Sequence, residues 1–269
     1  MRNSKADQME GRESMSVPAV AEHLVNDPLR QAKVDLAAAH RLAVMYDFEE
    51  GIDNHFSVTV PGRDDLFLIL PFGLHWAEAR ASDMIVFDES GTVVDGEGVV
   101  ELSAYCIHAP IHRITGARVV FHTHQTWALA LNMLEDNRII PASQTSAYFH
   151  GRVAYDDAYS GTADFTAEGD RLAEVMGEKQ VMFMKNHGVL TVGDTVGQAF
   201  RRLYLIERVA KAQVLAMSTG KPLAPISEEM IHELQAPVDH DPLNRSERER
   251  LYFDAMKRVL DNTMPGYAE

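Results

Sequence analysis

Residues 55 to 71 read HFSVTVPGRDDLFLILP. Two apolar runs flank Gly62-Arg63-Asp64-Asp65, which supplies the glycine and short acidic side chains of a tight turn. A connection this short can only join antiparallel strands, because a parallel crossover needs a dozen residues or more. The constraint recurs along the chain. MIVFD meets Glu89-Ser90-Gly91 and returns through TVVDG, and KQVMFM and GVLTVG flank Asn186-His187-Gly188. Antiparallel pairs are therefore obligatory in whatever sheet these strands build.

Helical periodicity surrounds them. Leu29, Ala32, Leu36, Ala39, Ala43 and Tyr46 recur at steps of three and four, predicting a long first helix from Asp27. Val196, Ala199, Leu203, Ile206, Ala210, Val214 and Met217 mark a second stripe, ended by Pro222 and Pro225. SAYCIHAPIHRI and WALALNML read as helices and ARVVFH as a buried strand. GRVAYDDAYSGTADFTAEGDRLAEVM gives a short strand and a helix. Ser246 to Asn262 reads as a terminal helix with Ser246 as its N-cap. Strands enclosed by helices predict an α/β sandwich with a mixed sheet. No repeat or linker divides the chain. Residues 1–20 are polar and lack a signal-peptide core, so a disordered leader is expected there, followed by a single domain over 21–269.

Composition excludes several functions. No apolar run is long enough to cross a bilayer. The net charge is −15 with no Lys/Arg block, which argues against sequence-independent nucleic-acid binding. An anionic substrate would need a local positive centre. Cys106 is the only cysteine, so an intramolecular disulfide and a thiolate zinc site are both excluded, and a reducing cytoplasm fits.

The chemistry concentrates in VVFHTHQT, residues 119 to 126. Residues i and i+2 of a strand share a face, so His122 and His124 can aim both imidazoles at one point while Thr123 faces away. Neutral imidazole suits borderline divalent metals, and two such ligands need further partners. His187, in the Asn-His-Gly turn, is the natural third. Alone, an H-x-H on a strand is more often a pair of polar residues at a strand end.

HTH well upstream of NHG, preceded by SAYCIHAPIH and LPFGLHWAEARASDMIVFD, resembles the class II aldolase/adducin family over about Asp27 to Met217. The resemblance implies an α/β/α sandwich around a mostly antiparallel sheet. It also implies a divalent metal on His122, His124 and His187, and a homotetramer with sites at subunit interfaces. Its sugar-phosphate aldolases carry a catalytic glutamate four residues before the position of His108, and this chain has Ala104 there. Glu101, one turn back, is either a substitute or a surface residue near a helix start. The phosphate-binding serine-glycine pair corresponds to Phe72-Gly73, and a serine pair falls near Leu102 and Ser103; Phe72 offers no hydrogen bond.

A metal acting as electron sink still permits decarboxylation of a ring carrying a hydroxyl ortho to a carboxylate, without a hydroxyl base. Within the family the chain is most similar to decarboxylases of hydroxylated aromatic dicarboxylates, of the 3-hydroxy-2-methylpyridine-4,5-dicarboxylate type in vitamin B6 breakdown. DNHFSV, LPFGLHW and SAYCIHAPIHR carry that resemblance. The expected substrate is then a small anionic aromatic, and manganese is favoured over zinc, iron or cobalt. His108 and His75 are candidate proton donors or ordinary capping and supporting residues. Asn54 and His55 are candidates for substrate contact or a turn role, and Phe72 for a ring platform or core packing. Tyr204 could reach a site or simply pack, and Arg80, Arg201 or Arg202 could hold a second carboxylate or remain surface charges. His112, His150, His23, His232 and His240 receive no role. Alternatives are an aldolase or epimerase acting on a sugar or hydroxy-ketone, an iron-dependent user of oxygen, and a non-catalytic interaction domain such as adducin. Three convergent histidines argue against the last.

Overall fold

The computed structural model describes residues 27–158, 161, 165–236 and 243–269; the expected leader over 1–20 lies outside them. The first helix, α1 (Pro28–Met45), starts where Asp27 accepts hydrogen bonds from the Leu29 and Arg30 amides, with proline at the first position. β1 (His55–Thr59) and β2 (Leu66–Ile69) form the expected hairpin, pairing Ser57 with Ile69. β3 (Ile85–Asp88) and β4 (Val93–Asp95) extend it. Helix α2 (Leu102–Thr115) leads into β5 (Val119–Thr123), and α3 (Thr126–Asn132) follows.

The middle of the chain, for which no element is read from the sequence, holds a further helix, α4 (Gln144–Phe149), before β6 (Val153–Asp156) and α5 (Thr166–Met176). Six residues are too few for a helical stripe to show in the sequence; Ser143 caps the helix instead. β7 (Val181–Met184) and β8 (Gly188–Gly193) precede the long α6 (Val196–Met217). α6 stops at Met217, ahead of Pro222 and Pro225. After α7 (Glu228–Gln235), α8 (Arg245–Thr263) is capped by Asn244, not Ser246, in a reciprocal pair with Glu247. The asparagine side chain precedes the helix by one residue, whereas Ser246 already lies within its first turn.

The eight strands make one sheet in the order β4-β3-β2-β1-β5-β8-β7-β6, antiparallel throughout except β6 with β7. Helices cover both faces. Phe56, Val58 and Phe121 point to the face covered by α1 and α6, where Leu36, Leu42, Phe200 and Leu203 complete the main core. The opposite face buries Val120, Met182 and Leu190 under Ile107 and Ile111 of α2 and Leu172 of α5. α2 and α5 pack very closely: a Cβ at Gly169 would fall 1.9 Å from the Cys106 carbonyl oxygen. This α/β/α sandwich brings the ends of β1 and β5 and the turn between β7 and β8 together at one end of the sheet.

Candidate metal centre

The cross-strand register sets His55 opposite His122. His122 is the penultimate residue of the buried strand β5, and His124 lies one residue beyond its end, so both rings turn to one side. Their Nε2 atoms lie 3.1 Å apart. His187 comes in from the β7–β8 turn, which closes tightly because Asn186 adopts φ 56° and Gly188 starts β8. Its ring centroid is 4.8 Å from that of His122 and 4.9 Å from that of His124. One donor nitrogen from each histidine lies within 4.8 Å of the others.

Outer partners orient the rings. His122 Nδ1 is 3.2 Å from the Val189 carbonyl, and His124 Nδ1 is 2.5 Å from a Glu50 carboxylate oxygen. Each contact places the ring proton on Nδ1 and leaves the Nε2 lone pair free. Two such lone pairs 3.1 Å apart repel unless a cation sits between them. The donor set therefore fits a divalent ion. Burial, with the neighbouring histidines, drives His122 well below its ordinary pKa and lowers His187 to about 4, so both rings stay neutral and able to ligate near pH 7. The Asn54 side-chain oxygen, on a residue held at φ 76°, accepts from the His124 amide at 2.8 Å and fixes where the second ligand leaves the strand.

The triad opens into a cleft of about 180 Å³, also lined by Asn54, His55, Phe72, Glu101 and Ser103. Phe72 is 46% exposed and forms a flat apolar wall rather than part of the core. Glu101 caps α2, accepting from the Ala104 amide at 3.0 Å, and takes a hydrogen bond from Ser103. Half-buried, it is pushed up by desolvation, but the Ser103 hydroxyl, nearby backbone amides and His55 outweigh this and hold it below the usual carboxylate range. It is thus both a helix cap and a wall of the cleft, which offset-by-offset comparison with Ala104 obscured.

Other candidates lie elsewhere. His108 is fully buried behind His55, 2.8 Å from its Nδ1, and does not face the cleft. His75 caps the short turn Trp76–Glu78: its Nδ1 accepts from the Ala77 amide while Glu78 accepts from the His75 amide. Gly73 turns the chain beside Phe72 at φ 105°. Arg80 pairs with Asp83, and Tyr204 packs edge-on against Tyr46. Arg201 lies over the Tyr252 ring, and the buried Arg202 donates to the Val192 carbonyl. None of these lines the cleft. Glu50 was missed in the sequence, its only signal being an acidic residue in the turn just before Asp53-Asn54-His55. No helix among the described residues is long and apolar enough to cross a membrane.

Comparison with known proteins agrees with this geometry. Residues 34–214 match the family model described as Class II Aldolase and Adducin N-terminal domain. A Pseudomonas aeruginosa protein named as an aldolase class 2 protein is 31% identical, covering 94% of this chain and 98% of that one. The solved aldolase II superfamily protein from Pseudomonas syringae superposes with TM-score 0.82 at 33% identity, over 93% of this chain and 99% of that one. L-fuculose 1-phosphate aldolase from Glaciozyma antarctica gives TM-score 0.75 at 25% identity, over 89% and 92%.

Proposed function

Because the chain belongs to the class II aldolase and adducin family, we propose that it is a metal-dependent carbon-carbon lyase of the aldehyde-lyase kind in which Glu101 carries the proton. The observation behind this reading is a carboxylate in the same cleft as the histidine triad, although Ala104 stands where the family aldolases have theirs. His122, His124 and His187 would hold the ion, which when bound polarises a substrate oxygen. Manganese is the ion to load first, and zinc, iron and cobalt suit the same donors.

The rest is done by the chain's own side chains. Glu101, ionised near neutral pH, accepts the proton of a substrate hydroxyl, and Ser103 keeps that carboxylate pointed into the cleft. Glu50 and the Val189 carbonyl keep the ligand rings turned inward. Phe72 replaces a phosphate-binding serine with an apolar surface, so the fitting substrate is an unphosphorylated hydroxy-carbonyl compound with a flat or apolar substituent. A homotetramer with its clefts at subunit boundaries belongs to the same proposal, and light scattering tests it.

Phe72 also favours a second reading, decarboxylation of a hydroxylated aromatic dicarboxylate, in which Glu101 would serve as acid rather than base. One experiment separates them. Metal-stripped protein, with and without added manganese, is assayed by aldehyde trapping on hydroxy-ketones and for carbon dioxide release from 3-hydroxy-2-methylpyridine-4,5-dicarboxylate and 3,4-dihydroxyphthalate. Metal-dependent aldehyde supports the first reading, and metal-dependent carbon dioxide release replaces it with the second. Metal binding without either product removes both.

A further inference from the structure

Behind the cleft, β1 and α2 hold a file of polar side chains that the reading above does not use. His55, Ser57 and Thr59 share the face of β1 turned to α2, and His108 and His112 are one turn apart on that helix. Two strand residues advance about 6.6 Å and four helical residues about 6 Å, so the two rows stay in step. From the rear, His112 Nδ1 lies 2.6 Å from the Ala117 carbonyl and 3.2 Å from the Thr59 hydroxyl. His112 Nε2 is 2.7 Å from Ser57 Oγ, which is 2.6 Å from His108 Nδ1. His108 Nε2 is 2.8 Å from His55 Nδ1, and His55 Nε2 is 3.2 Å from Ser103 Oγ, which bonds Glu101. Ser57 and His108 are fully buried. Both ends are open: Glu101 faces the metal cleft, while Thr59 and His112 line a separate cleft of about 480 Å³ with Arg118 and Glu89.

The end groups permit two complete hydrogen-bonded arrangements. In the first, Thr59 donates to His112 Nδ1, every later proton points forward, and Ser103 donates to a Glu101 carboxylate. In the second, His112 Nδ1 donates to the Ala117 carbonyl, every bond is reversed, and a protonated Glu101 donates to Ser103. The two differ by one proton. We propose that His112, Ser57, His108, His55 and Ser103 form a relay that carries a proton between solvent in the rear cleft and Glu101 in the metal cleft.

In the forward step, water in the rear cleft gives a proton to His112 Nδ1 and leaves hydroxide to the solvent, and Thr59 turns to solvent. The Nε2 proton of His112 passes to Ser57, that of Ser57 to His108 Nδ1, and that of His108 Nε2 to His55 Nδ1. The His55 Nε2 proton passes to Ser103, and the Ser103 proton to Glu101. Every histidine stays neutral, one proton enters and Glu101 becomes an acid. Once Glu101 has passed its proton to the substrate oxygen, reorientation of the hydroxyls and exchange of tautomers restores the first arrangement. The two ends bias the file oppositely, the carboxylate toward the first arrangement and the close Ala117 carbonyl toward the second, and Phe67 stacked 4.8 Å from His112 holds that ring in line. The relay rests on Glu101 as the proton carrier of the proposed lyase.

The test reads His112 at fixed neutral pH, in metal-stripped full-length protein labelled with nitrogen-15 histidine, whose shifts report the tautomer. Glu101→Gln or Ser103→Ala at the front should raise the Nδ1-protonated fraction of His112 roughly tenfold, as expected for loss of one charge-assisted hydrogen bond. In a Ser57→Ala background the same front changes should leave His112 unmoved, while Ser57→Thr should restore the response. Front changes that never reach His112, or that reach it equally without the Ser57 hydroxyl, overturn the relay. Neither metal nor substrate is involved, so failure of the lyase reading shows separately, as absent turnover with the coupling intact.

Discussion

Glu50 lies 2.5 Å from Nδ1 of His124, so the second histidine of the triad is oriented from a turn seventy-odd residues upstream. An outer carboxylate of this kind fixes the tautomer and orientation of the ring. Glu50→Gln should therefore weaken divalent-metal affinity by about 10- to 100-fold with the fold unchanged. His122→Ala and His187→Ala should abolish stoichiometric binding. Titration calorimetry with manganese, checked by elemental analysis of the loaded protein, measures both.

Gly188 is close enough to the triad to report on it. An added Cβ would lie 2.6 Å from the Thr123 carbonyl oxygen, 2.7 Å from His124 Cδ2 and 2.9 Å from His122 Cε1. Gly188→Ala forces either the ligand rings or the backbone to shift, and we expect the rings to move and metal affinity to fall at least about tenfold, the scale of losing one orienting contact. Unchanged affinity would mean that the β8 backbone yields instead.

Glu101→Gln should leave metal content intact and lower turnover about 10²- to 10⁴-fold, the usual contribution of a positioned acid or base. Full turnover in this variant would remove Glu101 from the chemistry and return the choice to groups that need no carboxylate. Loss of metal along with activity would instead make it a structural support.

The fold itself carries a pH signature at His40. Its ring is buried between Phe56 and Trp76, with Nδ1 2.8 Å from the Leu36 carbonyl, and burial lowers its pKa to about 4 from 6.5. Between those values the unfolded chain binds the proton and the native protein does not. Its stability contribution is thus fully present above about pH 6.5 and is lost as pH falls toward 4, at up to about 1.4 kcal/mol per pH unit. Melting scans of the wild type and His40→Gln across that window should show a shallower acid slope in the variant.

Much of this was legible in the sequence where the signal is local. The hairpins followed from turn lengths, the long helices from their stripes, and the convergence of His122, His124 and His187 from strand parity plus one histidine in a glycine turn. What was lost depends on registers between distant segments. Glu101 sits three residues from the family position, and only the direction of the α2 N-terminus shows that it still faces the cleft. His112 received no role because its partners, Ser57 and Thr59, are matched to it by the way α2 lies over β1. His75 is the opposite case, since the glutamate three residues after it already spelled a capping pair.

β1 alternates two kinds of residue with different duties. Phe56 and Val58 serve the main core, while His55, Ser57 and Thr59 belong to the polar file. Substitutions at the even positions would be felt as lost apolar packing, and those at the odd positions as broken hydrogen bonds along the file. The architecture and the reactivity can therefore drift apart letter by letter. A descendant that kept every even letter and replaced the odd ones would inherit the scaffold with the polar file erased from one side of a single strand.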